Sequence, residues 1–334
     1  METKTLATET PTELATAVEE ASRALRKGDV VALPTETVYG LAADALRPEA
    51  AVKIFAAKER PLFDPLIVHL PSRDWLERLT AIPDESRALV EALIAKYWPG
   101  PLTLVLPRRE IVPDLVTSGL DTVAVRMSAH PVFRAVIEHF GRPLAAPSAN
   151  RFGRISPTAA AHVQNELNAR IHLIIDGGAT EHGVESTIVK VDGAKLHILR
   201  AGPVTPEELA AFGEVDRVNS GPRPDAPGQL TSHYAPRTRL VLLPPGKCWA
   251  QAATEFPLSA GLLAFRQAGP AGKFAVTEIL SATGDLREAA ATLFARMRAL
   301  DGAALDLIVA ESVPEEGLGI AIMDRLRKAA AKHV

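Results

Sequence analysis

Short apolar strands alternate with amphipathic helices along the first two hundred residues, and this alternation constrains the fold more than any other feature of the sequence. Apolar runs at residues 29–33, 66–70 and 122–127 predict buried strands, and the segments between them carry leucines and valines at helical spacing. The last two predicted strands of this part, residues 186–191 and 196–199, follow each other without a helix. We therefore predict an α/β domain with a mixed sheet rather than a purely parallel one.

A second, smaller domain is predicted after a change in composition. Residues 220–236 contain four prolines and two glycines without apolar periodicity, which is typical of a linker. From residue 240 on, strands and helices alternate again and predict a small Rossmann-like domain. This part has no GxGxxG motif, so dinucleotide binding is not indicated. The predicted division is a first domain over residues 1–212, a linker over 213–238 and a C-terminal domain over 239–334.

Composition excludes several classes of protein. The 334 residues are 47% apolar and 23% charged, with a net charge of −3, so no global positive field points to nucleic acid or an anionic membrane. The single cysteine, Cys248, excludes an intramolecular disulfide and a zinc cluster. No secretory signal and no run of about 18 apolar residues is present. We expect a soluble, cytoplasmic protein, whose residues 1–12 form a frayed tail.

Residues 34–41, PTETVYGL, place two hydroxyls, a carboxylate and a phenol directly after a predicted strand. A polar loop at a strand end is where α/β proteins usually place their chemistry, although an ordinary turn has the same composition. These residues alone leave both interpretations open.

Two pairs of polar residues have i, i+2 spacing. Lys58 and Arg60 are either solvated at a helix end or, in extended geometry, face the same way and grip a polyphosphate. Ser148 and Asn150 either form a turn or cap, or bind a phosphate or ribose.

His69 and Arg126 interrupt apolar strands, and a buried arginine requires an anion. That anion is either an internal carboxylate, such as Glu36 or Asp176, or a substrate carboxylate. Walker A, HExxH and GxSxG motifs are absent, which excludes P-loop NTPases, zincins and α/β-hydrolases. The cations and hydroxyls that remain fit a concave site for a nucleotide and a small zwitterion.

Many short motifs occur along the chain in a specific order, and together they resemble the Sua5/YrdC/TsaC family, the threonylcarbamoyl-adenylate synthases, in its two-domain Sua5 form. The motifs are PTETVYGL at 34–41, Lys58 and Arg60 as KxR, PLIVH at 65–69, WPGPLTLVL at 98–106, VAVRM at 123–127, APSAN at 146–150, GVEST at 183–187, ILRAGP at 198–203, HYAP at 233–236, and the C-terminal PEEGLG and DRL.

The resemblance implies a twisted mixed sheet with a concave, positively lined cavity, followed by a Rossmann-like domain. It also implies an enzyme that joins L-threonine, bicarbonate or CO2 and ATP, with Mg²⁺, into threonylcarbamoyl-AMP and pyrophosphate. A separate transferase would then pass the threonylcarbamoyl group to adenosine 37 of tRNA. The net charge does not itself imply that this chain binds tRNA.

The site residues are carried over by position. The resemblance implies that ATP contacts Lys58, Arg60, Thr122, Ser148, Asn150, Ser156, Arg200 and Tyr234, and that threonine contacts Thr35 or Thr37, His69, Arg126, Ser186 and the backbone of Ala146. Lys58 and Arg60 would be catalytic, and no metal ligand is specified. Asp64 stands where many members have asparagine, so as an ATP ligand it would repel phosphate unless it binds Mg²⁺ or pairs with Lys58. The linker with Tyr234 is expected to act as a lid.

Two alternatives remain at this point. One is a related enzyme that makes carbamoyl-AMP from carbamoyl phosphate, and the other is a non-catalytic RNA-binding module that uses a local basic cavity.

Overall fold

The chain divides into two units, each built around its own β-sheet. The computed structural model describes residues 2–217, 226–230, 233–246, 256–257, 259–267 and 273–331. The first unit comprises Met1–Phe152, Pro157–Glu181 and Glu185–Gln229, and the second comprises Gly153–Ser156, His182–Val184 and Leu230–Val334.

The described strands of the first unit form one sheet of eleven strands. The sheet is mixed, as the sequence predicted. The order of the strands across the sheet is β1-β8-β2-β3-β7-β4-β6-β5-β9-β10-β11. In chain order they are β1 (Lys4–Ala7), β2 (Val31–Leu33), β3 (Gly40–Asp44), β4 (Ile67–His69), β5 (Leu102–Pro107), β6 (Thr122–Arg126), β7 (Leu144–Ala145), β8 (Leu173–Asp176), β9 (Thr187–Asp192), β10 (Lys195–Arg200) and β11 (Glu214–Arg217).

Helices cover both faces of this sheet. Side chains of β3 alternate between the faces, so Leu41 and Ala43 lie in one apolar cluster and Ala42 lies in another. This explains why the central strands carry apolar residues at consecutive positions instead of at every second one. The helices of the unit are α1 (Pro11–Arg26), α2 (Pro48–Lys58), α3 (Asp74–Leu79), α4 (Asp84–Tyr97), α5 (Asp114–Thr117), α6 (Pro131–Phe140), α7 (Ala160–Leu167) and α8 (Pro206–Leu209).

The prediction of a frayed tail over residues 1–12 is wrong. Lys4–Ala7 forms β1, which pairs in parallel with β8, and the Thr3 hydroxyl donates to the carbonyl of Ile171. Helix α1 then begins at Pro11, where Thr10 and Glu13 form a capping box. This edge strand is short and largely exposed, so its own sequence pattern does not indicate a strand. It forms because it pairs with β8, about 170 residues further along the chain.

The second unit has a four-stranded parallel sheet in its described residues, which agrees with the predicted Rossmann-like domain. The strand order is β12-β15-β13-β14, where β12 is Arg239–Leu242, β13 is Ala260–Ala264, β14 is Val276–Ile279 and β15 is Leu307–Ala310. The described residues of this unit also form two helices, α9 (Leu286–Asp301) and α10 (Leu318–Ala330).

Parts of the predicted linker, residues 218–225 and 231–232, lie outside the described residues, as does Cys248. The linker boundaries and the lid therefore stay predictions. Among the described helices, none combines the length and hydropathy that a membrane crossing requires.

Candidate active site

The end of helix α2 brings Lys58 into the protein interior. Lys58 is the last helical residue, and Glu59 then adopts a left-handed conformation with φ of 54°. The Lys58 ammonium is 1% exposed and donates hydrogen bonds of 2.5 Å to the carbonyls of Ser148 and Asn150. Burial, with a smaller contribution from Arg60, lowers the pKa of Lys58 well below its ordinary value. Lys58 is thus helical and buried, so the extended geometry predicted for this segment is wrong, and so is the solvated alternative. That both cations bind one polyphosphate stays a prediction.

Arg60 is held by the chain that immediately follows it. Its Nε donates to the carbonyl of Asp64 at 3.1 Å, and its Nη2 donates to the carbonyl of Pro65 at 2.8 Å. The same Nη2 lies 2.8 Å from Asp64 Oδ2, and both side chains are buried. Asp64 is thus ion-paired with Arg60, not with Lys58 as one of the sequence-based alternatives had it.

The loop of Ser148 and Asn150 lies against the PTETVYGL stretch. The amide of Ala149 donates to the carbonyl of Tyr39 at 2.8 Å, and Gly40 forms a β-bridge with Ser148. The two polar loops that the sequence singled out separately are therefore neighbours, and the carbonyls of Ser148 and Asn150 orient Lys58 between them.

The two threonines of PTETVYGL have different environments. The hydroxyl of Thr35 accepts from the amides of Thr37 and Val38 and donates to the carbonyl of Val38 at 2.6 Å, so it stabilises the turn. The hydroxyl of Thr37 lies 2.8 Å from that of Thr35 and accepts from Arg126 Nη1 at 3.1 Å. Of the two, Thr37 is therefore the one beside the arginine.

The buried Arg126 has an internal anion, which was one of the alternatives left open. Its Nη2 donates to Glu36 Oε1 at 2.7 Å, and Ser128 donates to the other oxygen of Glu36 at 2.5 Å. Burial raises the pKa of Glu36, but the charge of Arg126 and the hydroxyl of Ser128 outweigh it and lower that pKa to about 2. Arg126 Nε also donates to Gly100 O. A guanidinium has five N–H donors, so this arginine can bind a further acceptor.

His69 lies beside Arg126 because the parallel strands β4 and β6 pair these two residues in register. Its ring packs on Phe133 with centroids 4.6 Å apart. Burial, helped by the charge of Arg126, lowers the pKa of His69 to about 3, so the imidazole is neutral. Its Nδ1 has no hydrogen-bond partner among the described residues. The amide of Ala146 donates to the carbonyl of Ile67, which fixes the Ala146 backbone next to the same strand.

Ser186 and Arg200 form a third buried group. The Ser186 hydroxyl lies 2.8 Å from that of Thr103, and Arg200 donates to the Ser186 hydroxyl and carbonyl at 3.0 Å each. Arg200 Nη1 also donates to the carbonyl of Pro227 at 3.3 Å.

Three further predicted ATP ligands, Thr122, Ser156 and Tyr234, lie in other parts of the chain. Thr122 is the first residue of β6 and Arg126 the last, which separates them by about 13 Å at the usual rise of a strand. Ser156 and Tyr234 belong to the second unit. There the guanidinium of Arg325 lies 5.0 Å from the Tyr234 ring, and Arg298 donates to the carbonyl of Ser156 at 3.4 Å.

Two polar residues of the site were missed by the sequence analysis. Ser128 holds Glu36, and Thr103 holds Ser186. Thr103 could have been found as the single hydroxyl in the apolar strand LTLVL, whereas Ser128 sits in a loop whose sequence gives no such signal. No group of three or more His, Cys, Asp or Glu side chains in the described part of the chain is arranged to hold a metal ion.

Fold and site together define an α/β protein with two units, whose first unit places buried cations beside hydroxyl groups. Comparison with known proteins agrees with this class. A family model described as "Telomere recombination", of the Sua5, YciO and YrdC proteins, matches residues 23–202, and one described as "Threonylcarbamoyl-AMP synthase, C-terminal domain" matches residues 204–331.

Curated relatives match over nearly the full length. A threonylcarbamoyl-AMP synthase of Pyrococcus abyssi is 41% identical over 93% of each chain, and one of Bacillus subtilis is 39% identical over 95% of this chain and 94% of the relative. A crystal structure of P. abyssi Sua5 complexed with L-threonine has a TM-score of 0.86 and 37% identity, covering 99% of this chain and 98% of the other. The chain belongs to the Sua5/YrdC/TsaC family of threonylcarbamoyl-AMP synthases.

Proposed function

We propose that the protein converts L-threonine, bicarbonate or CO2 and ATP into threonylcarbamoyl-AMP and pyrophosphate. The observation that carries this proposal is that Thr37 and His69 both lie beside the buried Arg126. It is supported by the similarity of the chain to the P. abyssi Sua5 structure complexed with L-threonine. The product would serve a separate transferase that modifies adenosine 37 of tRNA. We place the reaction in the cytoplasm.

In the proposed threonine subsite, Arg126 binds the substrate carboxylate with donors that Glu36 does not use. Glu36 holds the guanidinium in a fixed orientation through its 2.7 Å ion pair. His69 is a poor proton acceptor at neutral pH because its pKa is about 3, so it positions the substrate as a neutral hydrogen-bonding group. The remaining contacts are proposed for Thr35 or Thr37, Ser186 and the backbone of Ala146.

In the proposed ATP subsite, Lys58 and Arg60 bind the phosphates. Arg200, Ser148 and Asn150 are proposed beside them, with Thr122, Ser156 and Tyr234 as further ATP contacts. Mg²⁺ would enter with ATP and neutralise phosphate charge, since this ion usually binds through substrate phosphates and one or two carboxylates.

The proposed reaction has two steps. The threonine amine adds to CO2 and loses a proton, which gives a carbamate. A carbamate oxygen then attacks the α-phosphorus of ATP in line, and pyrophosphate leaves with the electrons of the broken P–O bond. The protein contributes positioning and charge neutralisation rather than a covalent step.

The test is pyrophosphate release by the purified full-length protein, with threonine, bicarbonate and ATP each omitted in turn. We expect release only when all three are present, together with threonylcarbamoyl-AMP detected by mass spectrometry. Release that requires carbamoyl phosphate instead would favour the carbamoyl-AMP alternative. Salt-sensitive tRNA binding without any release would favour the RNA-binding alternative.

A further inference from the structure

Asp64 is a carboxylate that the chain has enclosed completely, at 0% exposure. The segment that contains it curls around the Arg60 guanidinium, which contacts the carbonyls of both Asp64 and Pro65. Asp64 is therefore fixed next to Arg60 by the local backbone and does not reach it from a distant part of the chain.

The surroundings of this carboxylate are unusual for a buried acid. Buried carboxylates normally accept several hydrogen bonds, which offset the loss of hydration. Neither Asp64 oxygen accepts an aligned hydrogen bond from the described residues, although Oδ2 lies 2.8 Å from Arg60 Nη2. Burial raises the pKa of Asp64, and the charges of Arg60, Lys58 and Arg200 act in the opposite direction. The cost of burying the Asp64 carboxylate is therefore offset by neighbouring positive charge rather than by hydrogen bonds.

The same three cations are those proposed above for the phosphates of ATP. A polyphosphate that reached Arg60 and Lys58 would bring its negative charge next to the Asp64 carboxylate. Two anions in one buried site raise each other's free energy, as like charges do in paired carboxylates.

We propose that Asp64 is an internal counter-anion, which compensates the phosphate-binding cations in the free protein and competes with phosphate for them. This inference rests on the proposed function in that Lys58, Arg60 and Arg200 are taken as phosphate-binding groups. Asp64 then stabilises the free protein and lowers its affinity for ATP and pyrophosphate. It is not itself an ATP ligand.

The experiment is thermal unfolding of the full chain and of Asp64→Asn, titrated with inorganic pyrophosphate in the absence of Mg²⁺. Asparagine keeps the size of the side chain and removes its charge. We expect Asp64→Asn to melt below the natural protein without ligand, because its buried cations lack compensation. We also expect pyrophosphate to stabilise the variant at a concentration at least about tenfold lower than the natural protein needs. A like charge in contact with an anion shifts its pKa by about one unit or more, which is a factor of ten in the equilibrium constant.

Asp44→Asn is the matched control. Asp44 is also a buried aspartate, 2% exposed and paired with Arg142 at 3.2 Å, and it lies at the end of β3. This variant should lose stability without any change in the pyrophosphate concentration that it requires.

The proposal is wrong if Asp64→Asn requires as much pyrophosphate as the natural protein, or more. It is also wrong if Mg²⁺ alone stabilises the natural protein and not the variant, because Asp64 would then be a metal ligand. If Asp64→Asn does not fold, millimolar pyrophosphate should restore folding, and failure to do so contradicts the proposal. If pyrophosphate stabilises neither protein, the cations do not bind phosphate and that part of the proposed function fails with it.

Discussion

Arg126 Nη2 lies 2.7 Å from Glu36 Oε1, and both side chains are buried. Ser128 donates to the second oxygen of Glu36, so the carboxylate is held from two sides. The arginine is therefore already oriented before a ligand arrives, which is the preorganisation that favours recognition of a small zwitterion.

Replacing Glu36 by glutamine should destabilise the protein strongly. The change removes the charge opposite a buried guanidinium, and breaking such a pair costs about 3–5 kcal/mol. Urea unfolding measures the loss. Glu20→Gln is the control, since its pair with Arg23 is exposed and should contribute less than about 1 kcal/mol. Equal effects of the two changes would contradict the importance of the buried pair.

The single variants Thr37→Val and Thr35→Val should differ, the first affecting threonine binding and the second affecting stability. Thr37→Val removes the hydroxyl beside Arg126, and we expect the KM for threonine to rise about tenfold, the value of one good hydrogen bond. Thr35→Val removes the turn-forming hydroxyl, so we expect a loss of about 1–3 kcal/mol in unfolding free energy. Steady-state kinetics and urea unfolding of both variants test this, and the reverse assignment would show that Thr35 is the substrate contact.

Arg60→Ala should lower pyrophosphate release by about 100-fold or more, as expected when a charge-stabilising group is removed. The same change leaves Asp64 buried without its ion-pair partner, so it should also destabilise the protein by about 3–5 kcal/mol. The double variant Arg60→Ala with Asp64→Asn should regain most of that stability and remain inactive. Activity near the natural level in the folded double variant would remove Arg60 from the mechanism.

Stability should fall as pH decreases from about 6.5 towards 3, because of His69. Its pKa is about 3 in the folded protein and about 6.5 when unfolded, so over this interval only the unfolded chain binds the proton. The expected contribution of His69 to the slope is about 1.4 kcal/mol per pH unit, and His130, whose pKa is also lowered by burial, adds to it. Below about pH 4.5, Glu36 should steepen the fall, because its folded pKa is lowered to about 2.

His69→Gln should flatten the part of this profile between pH 6.5 and 4.5. His172→Gln replaces an exposed histidine and serves as the control. Chemical unfolding at several pH values measures the slopes, and an unchanged slope in His69→Gln would contradict the buried, neutral state of that ring.

Arg298→Ala should weaken ATP binding without changing threonine binding. Arg298 donates to the carbonyls of Ile155 and Ser156, and Ser156 is proposed to contact ATP. We expect the KM for ATP to rise about threefold to tenfold, the usual effect of one lost hydrogen bond. Arg296→Ala on the same helix removes an exposed pair with Glu278 and is the control. A change in the KM for threonine alone would contradict this positioning role.

Several elements could be predicted from the sequence because their signals are local. Helix α6 begins at Pro131 and ends before Gly141, and both limits are visible in the sequence, since proline fits the first helical turn and glycine adopts the left-handed conformation that ends a helix. The mixed sheet followed from strands without intervening helices, and ordered motifs spread along the chain identified the family.

What the sequence by itself determined is therefore the class of fold and the family, together with a set of candidate site residues. Only the tertiary structure decided how those residues pair. Glu36 and Arg126 are 90 positions apart, and Lys58 meets carbonyls about 90 positions further on, so no local pattern records either contact. Asp64 and Arg60 are close in sequence, yet their ion pair depends on the left-handed Glu59 and on burial that the whole domain provides. Two charged groups pair in a protein interior when the fold buries both of them at the same place. Which groups are buried together depends on the packing of the whole chain.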